Sequence, residues 1–262
     1  MIVIKYGGHV LESIAENDRI VKTIADFHLA GGKVVVVHGG GPAVDAELKV
    51  HQIPTTMVSG YRVTTPGVME IVQHTLSGSV LRALTNKFIG YGVNAVGISS
   101  GDGNTLRARK FHPVVDGAPI DAGLVGEAES TDPSFLNLLL NNGYFPVISP
   151  VSVQSDGQAL NINADIAAGA IAGALAATEV LFITDVAGIY RNWPDETTLI
   201  DQISLAELKE IASTFSEGMA PKSKAVITAL SSGAKKARII DGKKIENLEL
   251  ALQGHGGTVV FA

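Results

Sequence analysis

The sequence predicts an α/β fold: a mainly parallel sheet covered by helices on both faces. Three observations carry this. Short apolar runs rich in β-branched residues recur at 2–5, 33–37, 93–98, 145–149, 179–184, 236–240 and 257–261. Such runs suit strands buried on both faces. Helical patterns at about 12–29, 42–51, 66–89, 133–142, 163–177, 204–213 and 220–232 alternate with them, as parallel pairing requires. Finally, the runs Ile2-Val3-Ile4-Lys5-Tyr6 and Val34-Val35-Val36-Val37-His38 each end in glycines, Gly7-Gly8 and Gly39-Gly40-Gly41. Glycines at strand ends let the backbone turn sharply and offer bare N–H groups opposite helix N-termini, where anions bind. Two such cradles within the first 41 residues predict that two charged groups are brought together.

Element ends have their own signals. Ala30-Gly31-Gly32 closes the first helix. Thr131-Asp132-Pro133 offers a cap and a first-turn proline, and Asn142-Gly143 ends that helix. The stretch 101–130 breaks the rhythm, with Gly101-Asp102-Gly103-Asn104, Asp116-Gly117 and Gly123. Asp-Gly between short extended runs is a hairpin signal. This stretch reads as an antiparallel excursion at a sheet edge, with Arg107-Ala108-Arg109-Lys110 as its solvated face. No composition shift marks a linker, so 1–262 reads as one domain with two lobes on a continuous sheet.

Bulk properties narrow the function. Hydrophobic residues at 46% and charged residues at 18% describe a globular core. A net charge of −6 argues against a nucleic-acid partner, which needs a basic face. There is no cysteine, which excludes disulfides and thiolate catalysis and is compatible with a reducing compartment. A strand starting at Ile2, with no basic n-region or cleavage site before it, sets the expectation of no signal peptide. The apolar segment 162–183 contains Asp165 and Glu179, so it reads as a buried helix and strand rather than a membrane span. The expectation is a cytoplasmic protein with no membrane partner. Val44 stands where a dinucleotide fingerprint needs its third glycine, and there is no P-loop and no Gly-x-Ser-x-Gly elbow. The seven histidines lack zinc-ligand spacing, and no metal ligand is singled out.

A constellation remains. Lys5 ends an apolar strand beside a diglycine, where burying a cation is costly without an anion. Lys222 follows Gly218-Met219-Ala220-Pro221 at a helix start, where a cation opposes the dipole unless an anion shares the site. Arg62, in Gly60-Tyr61-Arg62-Val63-Thr64, suits bidentate capture of a carboxylate or an exposed loop position. In Asn161-Ile162-Asn163-Ala164-Asp165, one asparagine caps the next helix and leaves the other free. Asp165 falls in the first turn of a helix of small apolar residues, to satisfy the dipole or to organise cations. Asp185, in Thr184-Asp185-Val186-Ala187-Gly188-Ile189-Tyr190, follows a buried strand at the sheet's carboxyl edge, where nucleotides bind.

These six motifs, in this order and spacing, resemble the amino acid kinase family, and within it the branch acting on N-acetylglutamate. The resemblance spans nearly the whole chain and implies an open αβα sandwich. It implies an acyl-substrate lobe at about 1–175 and an ATP lobe at about 176–262. The implied reaction transfers phosphoryl from ATP, with Mg2+, to the side-chain carboxylate of N-acetyl-L-glutamate, the second step of arginine biosynthesis. By motif match, Lys5 and Lys222 would stabilise the transferring group and Asp165 would position them. Gly40, Gly41, Arg62 and Asn161 would hold the acyl amino acid. Lys5, Gly7, Gly8, Asp185, Val186, Ala187, Gly188, Ile189, Tyr190, Thr214, Phe215 and Ser216 would meet the nucleotide.

Two departures stand out. His9-Val10 replaces the small or amide residues usual after the diglycine, and nothing precedes the first strand, unlike in arginine-inhibited hexameric members. The expectation is a homodimer insensitive to arginine, although Gly254-His255-Gly256-Gly257-Thr258 partly matches the inhibited members. The alternatives are a lysine-branch aminoadipate kinase acting on a carrier-linked substrate and a non-catalytic sensor of acidic metabolites. The carrier reading wants a basic rim that an acidic chain makes less fitting. A sensor needs fewer opposed cations than Lys5 and Lys222 supply.

Overall fold

The computed structural model describes residues 1–7, 14–115, 117–212, 215 and 219–262. The chain runs β1 (Ile2–Tyr6), α1 (Ile14–Leu29), β2 (Val34–His38), α2 (Gly41–Val50), then a hairpin of β3 (Met57–Val58) and β4 (Tyr61–Arg62). Helix α3 (Pro66–Val72) passes through wide π-helical turns, Gln73–Val80, into α4 (Leu81–Gly90) and β5 (Ala95–Ser99). There follow β6 (Leu106–Lys110), the hairpin β7 (Val114–Val115) and β8 (Ala118–Pro119), β9 (Val125–Thr131) and α5 (Ser134–Asn141). Next come β10 (Phe145–Ser149), β11 (Val151–Val153), β12 (Ala159–Ile162), α6 (Ala164–Ala174) and β13 (Glu179–Thr184). The last part is β14 (Gln202–Ser204), α7 (Leu205–Ile211), α8 (Ala220–Ser231), β15 (Lys236–Asp241), α9 (Ile245–Leu252) and β16 (Thr258–Phe261).

Eight strands form the central sheet in the order β14-β16-β15-β13-β1-β2-β10-β5. Every neighbouring pair is parallel except β15 with β16. Alternate residues point to opposite faces. Val3, Val35 and Phe182 therefore pack under α5, α6, α7 and α8, while Ile4, Val36 and Leu181 pack under α1, α4 and α9. The result is the expected helix–sheet–helix layering. Strand β1 sits between β2 and β13, and the strand order departs from it in opposite directions. The carboxyl end of β1 is thus a topological switch point, where such sheets open a crevice.

Three expectations need correction. The 101–130 excursion does not extend a sheet edge: β6 and β9 close with β11 and β12 into a separate four-stranded barrel. Closure pairs edges that would otherwise stay open, and a register shift at Arg107/Ala108 supplies the bend. Leu106, Ala108, Leu160 and Ile162 fill its interior and join the core under α6, while Arg109 and Lys110 face water. The hairpin in this stretch is present as β7 and β8, turning through Gly117 at φ 79°; Asp116 lies outside the described residues. The run 66–89 is not one uniform helix. Within its π-helical turns, Ser77 Oγ bonds Ser149 Oγ (2.7 Å) and accepts from Ser99 Oγ (2.9 Å), tying the widened backbone to the ends of β10 and β5. Pro133 is the N-cap of α5 rather than its first turn, and Asp132 accepts from the Ser134 N–H (2.9 Å). Residues 12 and 13, read as the start of the first helix, lie outside the described residues.

Candidate functional site

Parallel pairing of β1 with β2 sets Tyr6 opposite His38, so both glycine segments leave the sheet side by side. A Cβ on Gly7 would lie 3.6 Å from Gly39 Cα and 2.7 Å from the Lys5 ammonium. A side chain at residue 7 would therefore displace the Lys5 ammonium, while the Gly39 backbone stands at ordinary contact distance. Gly40, with φ 150°, caps α2, and a Cβ there would meet Leu76 Cδ2 at 2.7 Å. Gly41 thus brings the first N–H of α2 to the same cleft as Lys5, a setting that suits anions.

A cleft of about 290 Å³ opens above these strand ends. Lys5, Gly40, Gly41, Arg62, Asn161 and Asp165 all line it, together with Gly39, Tyr61 and Asn163. Lys5 continues the row of Val3 on the face covered by α6, and its Nζ stands 3.0 Å from Asp165 Oδ1. Both side chains are buried, and the angle leaves that oxygen without a well-directed hydrogen bond among the described residues. Asn163 is the capping asparagine, accepting from the N–H groups of Asp165 and Ile166. Asn161 is the free one, and its Nδ2 donates to Thr64 Oγ1 at 3.2 Å. Thr64 Oγ1 in turn donates to the Arg62 carbonyl (2.7 Å), which links the asparagine to the β4 strand end.

Arg62 is buried rather than an exposed loop charge. Its Nη1 donates to Asp45 Oδ1 (2.5 Å) and Thr55 Oγ1 (2.9 Å), and its Nη2 lies 3.4 Å from the Gly41 carbonyl. The sequence reading passed over Asp45. Its spacing offered a signal, because it stands four residues after Gly41 and shares that helix face. His38 is fully buried; its Nδ1–H donates to the Gly39 carbonyl (2.6 Å), which leaves Nε2 without a partner among the described residues. Burial lowers its pKa to about 4 against a smaller opposing pull from that carbonyl, so the ring is neutral near pH 7. Burial and the Glu127 carboxylate both raise the pKa of Tyr61.

Lys222 lies in the first turn of α8, half-buried, and is not among the residues that line the cleft. Helix packing fixes its relation to Asp165. A Cβ on Gly169 would meet the Ala225 carbonyl at 2.6 Å, and one on Gly173 would meet the Ala229 carbonyl at 3.2 Å. Helices α6 and α8 are therefore parallel and in close contact, at a constant offset. Asp165 stands one turn before Gly169 on α6, and Lys222 lies in the first turn of α8, one turn before Ala225.

The nucleotide-side residues follow β13, adjacent to β1. Asp185 is exposed at the strand's carboxyl end, and its carbonyl lies 3.3 Å from Lys243 Nζ. Thr184 Oγ1 receives the Val186 N–H (3.2 Å), and Ala187 is half-buried. Gly188 and Ile189 turn inward: a Cβ on Gly188 would meet Thr258 Oγ1 at 2.1 Å, and the Ile189 N–H donates to that hydroxyl at 2.9 Å. The Ile189 side chain belongs to the core, and its carbonyl accepts from the Ile200 N–H (2.8 Å), so both its backbone polar groups are engaged within the protein. Tyr190 packs on Trp193 with ring centroids 5.1 Å apart, and Phe215 packs on the core under α6. Gly8, His9, Val10, Thr214, Ser216 and Gly218 lie outside the described residues. Among the described residues, no helix is long and apolar enough to cross a membrane, and no three His, Asp or Glu side chains gather as a metal-ligating group.

Comparison with known proteins adds four findings. Residues 1–241 match the model of the amino acid kinase family. The chain is 39% identical over 269 residues to an acetylglutamate kinase of Kineococcus radiotolerans, covering 99% of this chain and 90% of that one. It is 40% identical over 252 residues to an acetylglutamate kinase of Paenarthrobacter aurescens, covering 92% and 80%. Among solved structures, N-acetylglutamate synthase of Neisseria gonorrhoeae, complexed with coenzyme A and N-acetyl-glutamate, superposes with a TM-score of 0.84 at 24% identity. That match covers all of this chain and 59% of the synthase, and at such identity it speaks for the fold alone.

Proposed function

The chain belongs to the amino acid kinase family, and we propose on that premise that it is an acetylglutamate kinase: it phosphorylates the side-chain carboxylate of N-acetyl-L-glutamate with ATP. The observation that carries the reading is one cleft in which a buried Lys5–Asp165 pair, glycine-rich strand ends and a buried arginine converge. In the reaction a carboxylate oxygen bonds to the γ-phosphorus, the bond from that phosphorus to the ADP oxygen breaks, and ADP departs. Both reactants are anionic, so cations and N–H dipoles must surround them before they can meet. The attacking group is already ionised at neutral pH and needs no general base. Catalysis is positioning plus electrostatic stabilisation.

Each residue then has a task. Lys5 on β1 and Lys222 on α8 face the transferring group, and Asp165 on α6 holds Lys5 in place. The N–H groups at Gly7, Gly8, Gly40 and Gly41 donate to phosphate and substrate oxygens. Arg62 and Asn161 hold the substrate's other carboxylate. The segment Asp185–Tyr190, with Thr214–Ser216, borders the nucleotide in a lobe that starts near residue 176. Mg2+ bound to the nucleotide oxygens would neutralise phosphate charge. By the resemblance, the protein works in the cytoplasm as a homodimer, which sedimentation tests directly.

The deciding experiment incubates the protein with MgATP, hydroxylamine and one candidate acid, and measures hydroxamate. Signal with N-acetyl-L-glutamate and none with aspartate or free glutamate supports the reading. Silence with every acid supports a non-catalytic sensor instead.

A further inference from the structure

Two side chains with no role in the reaction above converge on the one arginine that has one. We infer that Asp45 and Thr55 are positioning residues: by accepting the two Nη1 hydrogens of Arg62, they turn the guanidinium's other edge toward the substrate carboxylate. The inference rests on the kinase reading and names what makes its arginine selective.

A guanidinium is a rigid planar fork with five donors, and two edges can meet a carboxylate side-on or end-on. Arg62 Nη1 has both hydrogens spoken for, by Asp45 Oδ1 at 2.5 Å and Thr55 Oγ1 at 2.9 Å. The Nε–Nη2 edge has only the long 3.4 Å approach to the Gly41 carbonyl, and Nε takes no partner among the described residues. That edge is the one a carboxylate meets side-on with two parallel bonds.

The two acceptors come from different elements, so together they fix both position and tilt. Asp45 stands one turn beyond Gly41 on α2, and Thr55 lies in the loop before β3. The arginine is buried while both acceptors are exposed. Water therefore screens the Asp45 charge from an incoming anion, while its hydrogen bond still orients the fork. Orientation wins over repulsion on this account.

The test is Asp45→Ala, Asp45→Asn and Thr55→Val in the full chain, with steady-state kinetics for N-acetyl-L-glutamate and ATP and calorimetric binding of N-acetyl-L-glutamate alone. Asp45→Ala should raise the KM and Kd for N-acetyl-L-glutamate about tenfold, the scale of one charge-assisted hydrogen bond. The KM for ATP should stay unmoved, and kcat should carry the smaller share of the loss. Asp45→Asn keeps an acceptor oxygen and should recover most of the affinity, and Thr55→Val should fall in between. An Asp45→Ala protein whose affinity is unchanged or improved overturns the inference, because then the aspartate competes with substrate for Arg62. An Asp45→Asn protein as weak as Asp45→Ala overturns it too. Turnover by the parent chain separates this failure from failure of the kinase reading, which would leave the parent itself inactive.

Discussion

Replacing Lys5 by methionine should damage stability and activity together, and a second substitution should restore only the first. Lys5 Nζ lies 3.0 Å from Asp165 Oδ1, with side chains 11% and 8% exposed. Removing the ammonium leaves a nearly dry carboxylate unpaired, and breaking one side of a buried pair costs about 3–5 kcal/mol. Adding Asp165→Asn removes the stranded charge, so the double variant should regain most of that loss. Activity follows different rules. Loss of one donor to the transition state lowers the rate by about 10²–10³-fold, and the neutral pair of the double variant supplies no cation. Urea denaturation of the parent, both single variants and the double variant gives the stability cycle. Hydroxamate formation at saturating substrates gives kcat. The reasoning is refuted if the double variant turns over within tenfold of the parent, or if Lys5→Met alone is as stable as the parent.

Three further outcomes follow from the geometry. Gly40→Ala should lower kcat/KM by at least tenfold with the fold retained by circular dichroism, because φ 150° disfavours a side chain and its Cβ would press Leu76 into the cleft wall. Gly169→Ala should destabilise the fold by about 1–3 kcal/mol in urea, since its Cβ would meet the Ala225 carbonyl at 2.6 Å and the backbone cannot yield as a side chain would. His38 should make stability depend on acid: its folded pKa of about 4 lies below the unfolded value of 6.5. Between those values the unfolded chain binds a proton that the native state does not, so stability falls as pH drops from 6.5 toward 4, by up to about 3 kcal/mol. His38→Gln should flatten the denaturation midpoint across that range, and an unchanged slope would place the effect elsewhere.

The central sheet was legible because its strands are buried on both faces, and runs such as Val34–Val37 have no other sensible fate. The barrel was not. Its strands are short and mix Arg107, Ser130 or Gln158 neighbours with apolar residues, so closure depends on pairings distant in sequence that no local period encodes. Helix α9 was passed over although Ile245, Leu248 and Leu252 keep helical spacing, and with it went the reason β16 returns antiparallel beside β15. The π-helical turns at 73–80 bond through Ser77 to Ser99 and Ser149, partners that only folding reveals.

The candidate site divides along the same line. Lys5, Gly40, Gly41 and Asp165 announced themselves through costly placement: a cation in an apolar strand, glycines at strand tips, an acid in a greasy helix. Arg62 was visible as a residue type, but its burial and its partners Asp45 and Thr55 were not, because they depend on how α2 and the β3–β4 hairpin dock. Lys222 was visible as an odd cation at a helix start. The close packing of its helix on α6 rests on Gly169 and Gly173, whose small size reads in sequence as mere helix composition.

The whole account turns on whether charges from β1 and α8 act on one group. A crystal structure with MgADP, N-acetyl-L-glutamate and a planar aluminium fluoride in place of the moving phosphoryl puts that to the test. The account predicts the ammonium groups of Lys5 and Lys222 both within hydrogen-bond reach, about 3 Å, of the fluorides. A fluoride group held by Lys5 while Lys222 points into solvent would contradict it.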